Sequence, residues 1–464
     1  MKKFLFAFLF GIIAVNAEAQ EVKVEGFVQK KAAPNSYIVP TDPAVRKKLD
    51  QWQDLKFGVL FHWGIYAVPG IIESWSIMSG DVDWQYKTRM KMGMDYDTYK
   101  KWYFALADKF NPVNFNPEQW ADVMQDAGIK YMLFTSKHHD GFAMFDSKYS
   151  DFGIAHGAFK DNPKKDVLRY VLQAFRDKGF MVGPYFSKPD WHYKYFWNPM
   201  FDTGQSMGPN YKPENHPDWW KKFKTYACNQ MTEITQDYGP VDIVWLDGGL
   251  RMEDLGLDSV ILQSRKKYPG MICVDRGQTG PWENYRTPEQ NIPKEKLDYP
   301  WESCITLSTH HWSYHDPEDF KTPREVVNTL SEIVAKGGCL ALGVGPSPDG
   351  VIDNRVVKIL HQVGLWMRAN GKAIYNTRAT DIYNDGKTWF TADKNGKTLY
   401  AIYALADNDK LPVTITWKGN IPTGKMKLLS NNKTLKYKVS GEEVTVTLPK
   451  GMKDDSFALT FNKK

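Results

Sequence analysis

Short, mostly apolar runs recur along the chain at Phe57–Phe61, Tyr131–Thr135, Met181–Phe186, Ile243–Leu246, Met271–Val274 and Leu340–Val344. Stretches with apolar residues at helical spacing lie between or after them. Pro117–Ala127 turns Trp120 and Val123 inward, and Asp166–Lys178 repeats Val167, Leu168, Val171, Leu172 and Phe175; Asp218–Tyr238, Pro323–Ala335 and Asn354–Ala369 follow the same rule. A strand that is apolar at every position needs cover on both faces, which intervening helices supply. The pattern predicts an α/β fold, a (β/α)8-like barrel over residues 44–372, with a doubly wound open sheet as second choice. Near Asn370-Gly371 the period changes to two. Alternating runs at Leu399–Leu405, Val413–Trp417, Lys425–Leu429, Glu443–Leu448 and Phe457–Phe461, with turns at Asn395-Gly396 and Ser440-Gly441, predict a C-terminal antiparallel β-sandwich over 373–464. That region has no His or Cys, which suits a structural role or the loan of a single loop to a site.

At the other end, Lys2 and Lys3 precede the apolar run Phe4–Val15, and Ala17-Glu18-Ala19 supplies small residues for cleavage. This is the layout of a signal peptide at 1–19, followed by a polar N-terminal segment at 20–43, and it predicts an exported protein, periplasmic or secreted. The run is short for a membrane span, and no later stretch approaches ~20 apolar residues. Cys228, Cys273, Cys304 and Cys339 have mostly apolar neighbours and no CxxC spacing, which predicts small buried thiols, with one disulfide as the alternative.

Apolar residues make up 42% and charged residues 25% of the 464, which excludes disorder and coiled coil. The net charge of +6 comes from Lys and Arg interleaved with Asp and Glu, so nucleic acid is not an expected partner. The aromatic share of 14% is high. Rings stack on the C–H faces of sugars, although a large core also consumes them.

Each apolar run ends in polar residues. Phe57–Phe61 leads to His62-Trp63-Gly64, Tyr131–Thr135 to Ser136-Lys137-His138-His139-Asp140, Ile243–Leu246 to Asp247-Gly248-Gly249, and Ile272-Cys-Val to Asp275-Arg276. In a parallel barrel those ends converge on one face, where sites are built. Two chemistries use such a set. Glycoside hydrolysis needs one carboxylate at the anomeric carbon and one carboxylic acid at the leaving oxygen, whereas metal-assisted hydrolysis needs His and Asp as ligands. Neighbours on a strand point to opposite faces, so His138 and His139 chelate one ion only if the backbone turns. Asp247 is the sharpest candidate, because it leaves a buried strand just before two glycines that let substrate or backbone approach closely. A simple Asp-Gly-Gly turn is the alternative.

Taken together these segments resemble the family 29 glycoside hydrolases, the α-L-fucosidases. The resemblance rests on Phe57-Gly-Val-Leu-Phe-His-Trp-Gly-Ile-Tyr, Lys137-His-His-Asp-Gly-Phe, Asp146-Ser-Lys-Tyr-Ser-Asp and Gly239-Pro-Val-Asp-Ile-Val-Trp-Leu-Asp-Gly. It continues through Asp275-Arg276, Thr287-Pro-Glu-Gln, Trp301-Glu302, Val344-Gly-Pro-Ser-Pro-Asp-Gly and Asn370-Gly-Lys-Ala-Ile-Tyr. It implies an exo-acting retaining glycosidase acting on oligosaccharides or glycans, without metal or other cofactor. Asp247 matches the family's nucleophile and Glu289 the acid/base of one branch, with Glu302, Asp275 and Glu73 as alternatives. The resemblance assigns hydroxyl binding to His62, His138 and His139 and the pocket walls to Tyr185, Trp245 and Arg276, with Trp75 and Trp312 offering rings to the sugar. Three places depart from the family pattern: Glu73-Ser-Trp-Ser shifts a Glu by one position, Gly277 replaces a Trp, and Gly343 replaces an Asn. An α-L-galactosidase on the same scaffold is the nearest alternative, since an apolar pocket rejects an added hydroxyl only modestly. A carbohydrate-binding protein without turnover is the alternative of a different class.

Overall fold

The computed structural model describes residues 37–79, 88–89, 91–204 and 207–463. The signal-peptide expectation for 1–19, and most of the 20–43 segment, lie outside the described residues. Seven parallel strands form one sheet: β1 Phe57–Phe61, β2 Tyr131–Lys137, β3 Met181–Ser187, β4 Ile243–Asp247, β5 Ile272–Asp275, β6 Glu302–Thr306 and β7 Cys339–Val344, in the order β5-β4-β3-β2-β1-β7-β6. Between the edge strands β5 and β6 runs an irregular segment that bridges both, pairing Glu283 with Val274 on one side and Arg286 and Glu289 with Trp301 and Cys304 on the other. This segment occupies the place of an eighth strand. Its irregularity explains why no apolar run marks it in the sequence.

Burial follows the pleat. Phe57, Val59, Phe61, Met132, Phe134, Val182, Val244, Leu246, Cys273, Leu340, Leu342 and Val344 join the cluster beneath the helices. Their alternates Leu60, Tyr131, Leu133, Tyr185, Ile243, Trp245, Ile272, Val274, Cys304, Cys339 and Ala341 form a second cluster inside the sheet. Both sets are apolar, which is why the runs show no alternation. One end of the inner cluster is filled from α1, Pro43–Leu55, a helix started by the Asp42 N-cap and Pro43. Its Trp52 stacks on Tyr285 with centroids 4.0 Å apart and planes 9° from parallel.

The helices on the outside are α2 Tyr96–Phe104, α3 Pro117–Asp126, α4 Val167–Asp177, α5 Pro217–Gln236, α6 Leu257–Lys267, α7 Pro323–Ala335 and α8 Asn354–Asn370. In α4 all five positions expected inward are buried. In α3, Trp120 is buried but Val123 is only half-buried; Met124, four residues on from Trp120, takes the inward place. The thiol expectation holds for Cys273, Cys304 and Cys339, which are buried and free, while Cys228 is free and half-buried.

Eight antiparallel strands follow: β8 Thr377–Asp385, β9 Thr388–Asp393, β10 Thr398–Tyr403, β11 Thr414–Lys418, β12 Pro422–Leu428, β13 Thr434–Ser440, β14 Glu443–Thr447 and β15 Phe457–Lys463. They form one continuous sheet in the order β11-β14-β13-β12-β15-β10-β9-β8. The sheet curls over its own core, because Trp417 of the edge strand β11 meets Phe390 of β9 with ring centroids 5.7 Å apart. It attaches to α8 through Trp366 Nε1, which donates to the Ser456 carbonyl, and Asn370 Oδ1, which accepts from the Ala458 N–H.

Replacing Trp52 by Ala would leave a cavity facing Tyr285 at the base of the inner cluster. A loss of about 3–5 kcal/mol is expected from the urea midpoint at an unchanged slope. A midpoint equal to that of the parent chain would show that α1 does not close the barrel.

Candidate active site

The pleat that builds the inner core also aims the functional side chains. Tyr185 on β3 and Trp245 on β4 belong to the inner set, so Asp247, two residues beyond Trp245, follows them to the strand end on the same side. A cleft at this end is lined by His62, Glu73, Trp75, His138, Tyr185, Trp245, Asp247, Arg276, Glu289 and Trp312, together with Leu60 and Cys304. Among the described residues, none of the antiparallel sheet lines it.

Asp247 is 8% exposed. One carboxylate oxygen accepts from Arg276 Nη1 at 3.1 Å and from the Gly248 N–H at 2.8 Å, and the other accepts from the Tyr185 hydroxyl at 2.6 Å. Burial pushes its pKa up, but Arg276, then His139, then these hydrogen bonds outweigh burial and hold the carboxyl well below the usual carboxylate range. Gly248 is required twice over. Its φ is +95°, and a Cβ there would stand 2.3 Å from Pro189 Cδ.

Arg276 also donates through Nη2 to Glu289, whose other carboxylate oxygen accepts from Trp312 Nε1 at 3.1 Å. One guanidinium therefore holds both carboxylates. It lies over the Trp245 ring, 5.2 Å from the centroid. Trp312 reaches Glu289 because position 343 is glycine: a Cβ there would lie 2.6 Å from the Trp312 ring. This departure from the family pattern thus makes room for an aromatic wall.

The adjacent pair His138-His139 reaches the site together because the β2–β3 register shifts between Thr135 and Lys137 and the chain then turns away. Their rings are 4.4 Å apart. Ser74 Oγ lies 2.5 Å from His138 Nδ1, and Ser187 Oγ lies 2.8 Å from His139 Nδ1. His139 Nε2 faces Asp247 at 3.8 Å. Among the described residues, His62 Nδ1, His139 Nε2 and Arg276 Nε are buried without a hydrogen-bond partner. Such orphaned groups on residues at a cleft suit a ligand rich in hydroxyls.

Two alternative acids sit elsewhere. Asp275 belongs to the outward set of β5, where it pairs with Lys188 and accepts from the Met252 N–H at 3.2 Å. Glu302 points inward but lies two residues below Cys304, so it ends up under the cleft floor. There it accepts from Tyr131 at 2.7 Å and Trp245 at 3.2 Å, and burial pushes its pKa up to about 7. Glu73 does line the cleft. Its Oε1 accepts from the Ser313 N–H at 2.8 Å, and burial raises its pKa to about 7, with a smaller push from Glu289.

The sequence reading missed Ser74, Ser187, Leu60 and Cys304. Ser187 was within reach, since it ends the third apolar run as Asp247 ends the fourth. Ser74 became a partner of His138 only through packing of a separate loop.

The family model described as α-L-fucosidase matches residues 26–372. The plasma α-L-fucosidase of Rattus norvegicus is 30% identical over 396 residues, covering 79% of this chain and 80% of its own. Among solved structures, α-L-fucosidase isoenzyme 1 from Paenibacillus thiaminolyticus superposes with a TM-score of 0.74 at 26% identity, over 91% of this chain and 100% of that one. The Thermotoga maritima α-fucosidase in complex with a mechanism-based inhibitor gives 0.71 at 26% identity, over 92% and 100%.

Burial, opposed by Asp247, lowers the pKa of His62 to about 3 and of His139 to about 4. Unfolded histidines take up a proton near pH ~6.5. These two therefore contribute fully above that pH and lose the contribution progressively as pH falls from ~6.5 through 4 and 3. Their Cε1 resonances should stay flat from pH ~8 to ~5 by NMR; a midpoint near ~6.5 for either ring would contradict this picture.

Proposed function

The chain belongs to the α-L-fucosidase family of glycoside hydrolases, and we propose that it removes terminal α-L-fucosyl residues from glycans by two successive displacements at the anomeric carbon. The observation that carries this reading is the shared guanidinium, which ties a buried, ionised Asp247 to a half-exposed Glu289 across one cleft.

In the first step an Asp247 carboxylate oxygen bonds to the anomeric carbon as the glycosidic C–O bond breaks, and the carboxyl of Glu289 gives its proton to the departing oxygen. In the second step Glu289 takes a proton from water, whose oxygen bonds to the same carbon and releases Asp247. Two inversions restore the starting anomeric configuration. Asp247 suits attack because Arg276, Tyr185 and the Gly248 N–H keep it ionised and fixed. Its negative charge disappears in the ester, which leaves Arg276 to interact with Glu289 alone. Glu289 suits proton transfer because its side chain is 39% exposed, so water and the leaving alcohol can reach it. Glu73 is held against Ser313 and fits a wall of the cleft.

His62, His138 and His139 are the hydroxyl-binding set. In His138 and His139 one nitrogen is held by a serine, which sets the direction of the other, and a hydroxyl of the wrong configuration leaves it unpaired. Trp75 and Trp312 offer apolar faces to the ring. Among the described residues no helix is long and apolar enough to cross a membrane. The N-terminal pattern supports export to the periplasm or beyond after cleavage near Ala19, and N-terminal sequencing of protein secreted by its native host should begin at Gln20. An intact Met1 would remove that reading.

With an aryl α-L-fucoside, Asp247→Ala should lower kcat by at least about 10³-fold. Glu289→Ala should slow poor leaving groups far more than good ones and regain rate with azide. The parent enzyme should release product of unchanged anomeric configuration by NMR. Inverted product, or full turnover of a natural glycan by the Glu289 variant, would overturn the assignment. Faster cleavage of the aryl α-L-galactoside would reassign the glycone, and a folded protein inert on both glycosides and on fucosylated glycans would indicate binding without turnover.

A further inference from the structure

The connection between β6 and α7 serves the cleft from one side only. From it Trp312 donates to Glu289 and the Ser313 N–H donates to Glu73. The neighbouring residues His311, His315 and Glu318 converge on a separate point. Each offers one ligand atom, and the three atoms lie within 4.8 Å of one another. His311 Nδ1 stands 2.9 Å from Glu318 Oε2, and the two imidazoles lie face to face with centroids 3.4 Å apart and planes 8° from parallel. The three side chains border a cavity of about 20 Å³, room for a single ion or water. Asp353 borders the same cavity, but its carboxylate is held by Arg355 and caps α8, so it does not compete.

Two imidazoles and a carboxylate are the donor set of a tetrahedral Zn²⁺ site with one position left for water. The two imidazoles are stacked, so one ring rotates out of the stack for its in-plane lone pair to meet the same ion as the other. We propose that His311, His315 and Glu318 bind a Zn²⁺ ion that clamps the loop carrying Trp312 and Ser313. Binding takes the neutral Nε2–H tautomer of His311, whose Nδ1 lone pair is free for the metal. The site lies outside the reacting carboxylates and does not rest on the glycosidase reading.

The test is equilibrium dialysis of the chelator-stripped full-length chain against Zn²⁺, read by metal analysis and by Tm. The parent chain should take up about one equivalent and gain several degrees of Tm, as expected of a ligand that binds only the folded state. Co²⁺ in its place should give the visible absorption of a tetrahedral site. His311→Ala and His315→Ala should lose the equivalent, the Tm gain and the Co²⁺ spectrum, and Glu318→Gln should weaken Zn²⁺ binding at least about tenfold. Far-UV circular dichroism reports whether each variant is folded. No uptake by the parent chain would overturn the proposal. Equal uptake by the folded His311→Ala/His315→Ala double variant would also overturn it, since the ion would then lie on the cleft histidines.

Discussion

A buried carboxylate stays ionised only when a cation stands beside it. Arg276 is that cation, with one nitrogen on Asp247 and another on Glu289. Its own position follows from the pleat of β5, where Asp275 turns outward and its neighbour turns in. Beneath it lies Trp245, whose indole nitrogen is fixed by the buried Glu302. The geometry of the cleft is thus anchored in the barrel interior through a ring, a carboxyl and two tyrosines, Tyr131 and Tyr285.

The same interior sets the chemistry of the histidines. Closely packed aromatic residues exclude water from the floor, and burial keeps His62, His138 and His139 neutral despite a nearby carboxylate. A neutral imidazole has one donor and one acceptor nitrogen, so when serine holds one, the other faces the cleft with a defined role. Ser74 and Ser187 act as positioning residues in this sense, and they come from different segments of the chain.

The irregular segment between β5 and β6 connects fold to function in another way. A regular eighth strand would have aimed alternate side chains into the core and out to helices. The bridges of Arg286 and Glu289 to β6 instead close the barrel while leaving Glu289 half-exposed at the rim. Closure and solvent access are met by one stretch of chain.

The apolar runs and helical spacings determined most of the barrel, because burial on two faces imprints composition directly on sequence. They also located Asp247, His62, His138, His139 and Arg276, since strand ends in a parallel barrel must share one face. Pattern failed at the short polar strand Glu302–Thr306, at α1 and at β8, β9 and β13, whose residues alternate weakly or are polar. Where each of Glu289, Glu302, Asp275 and Glu73 sits relative to the cleft belonged to tertiary structure. Whether a carboxyl points in or out, and at what depth, depends on register between strands distant in sequence. The partnership of Arg276 with Glu289, the room that Gly343 makes for Trp312 and the serines that orient His138 and His139 were settled in the same way, because each joins segments that only the folded chain brings into contact.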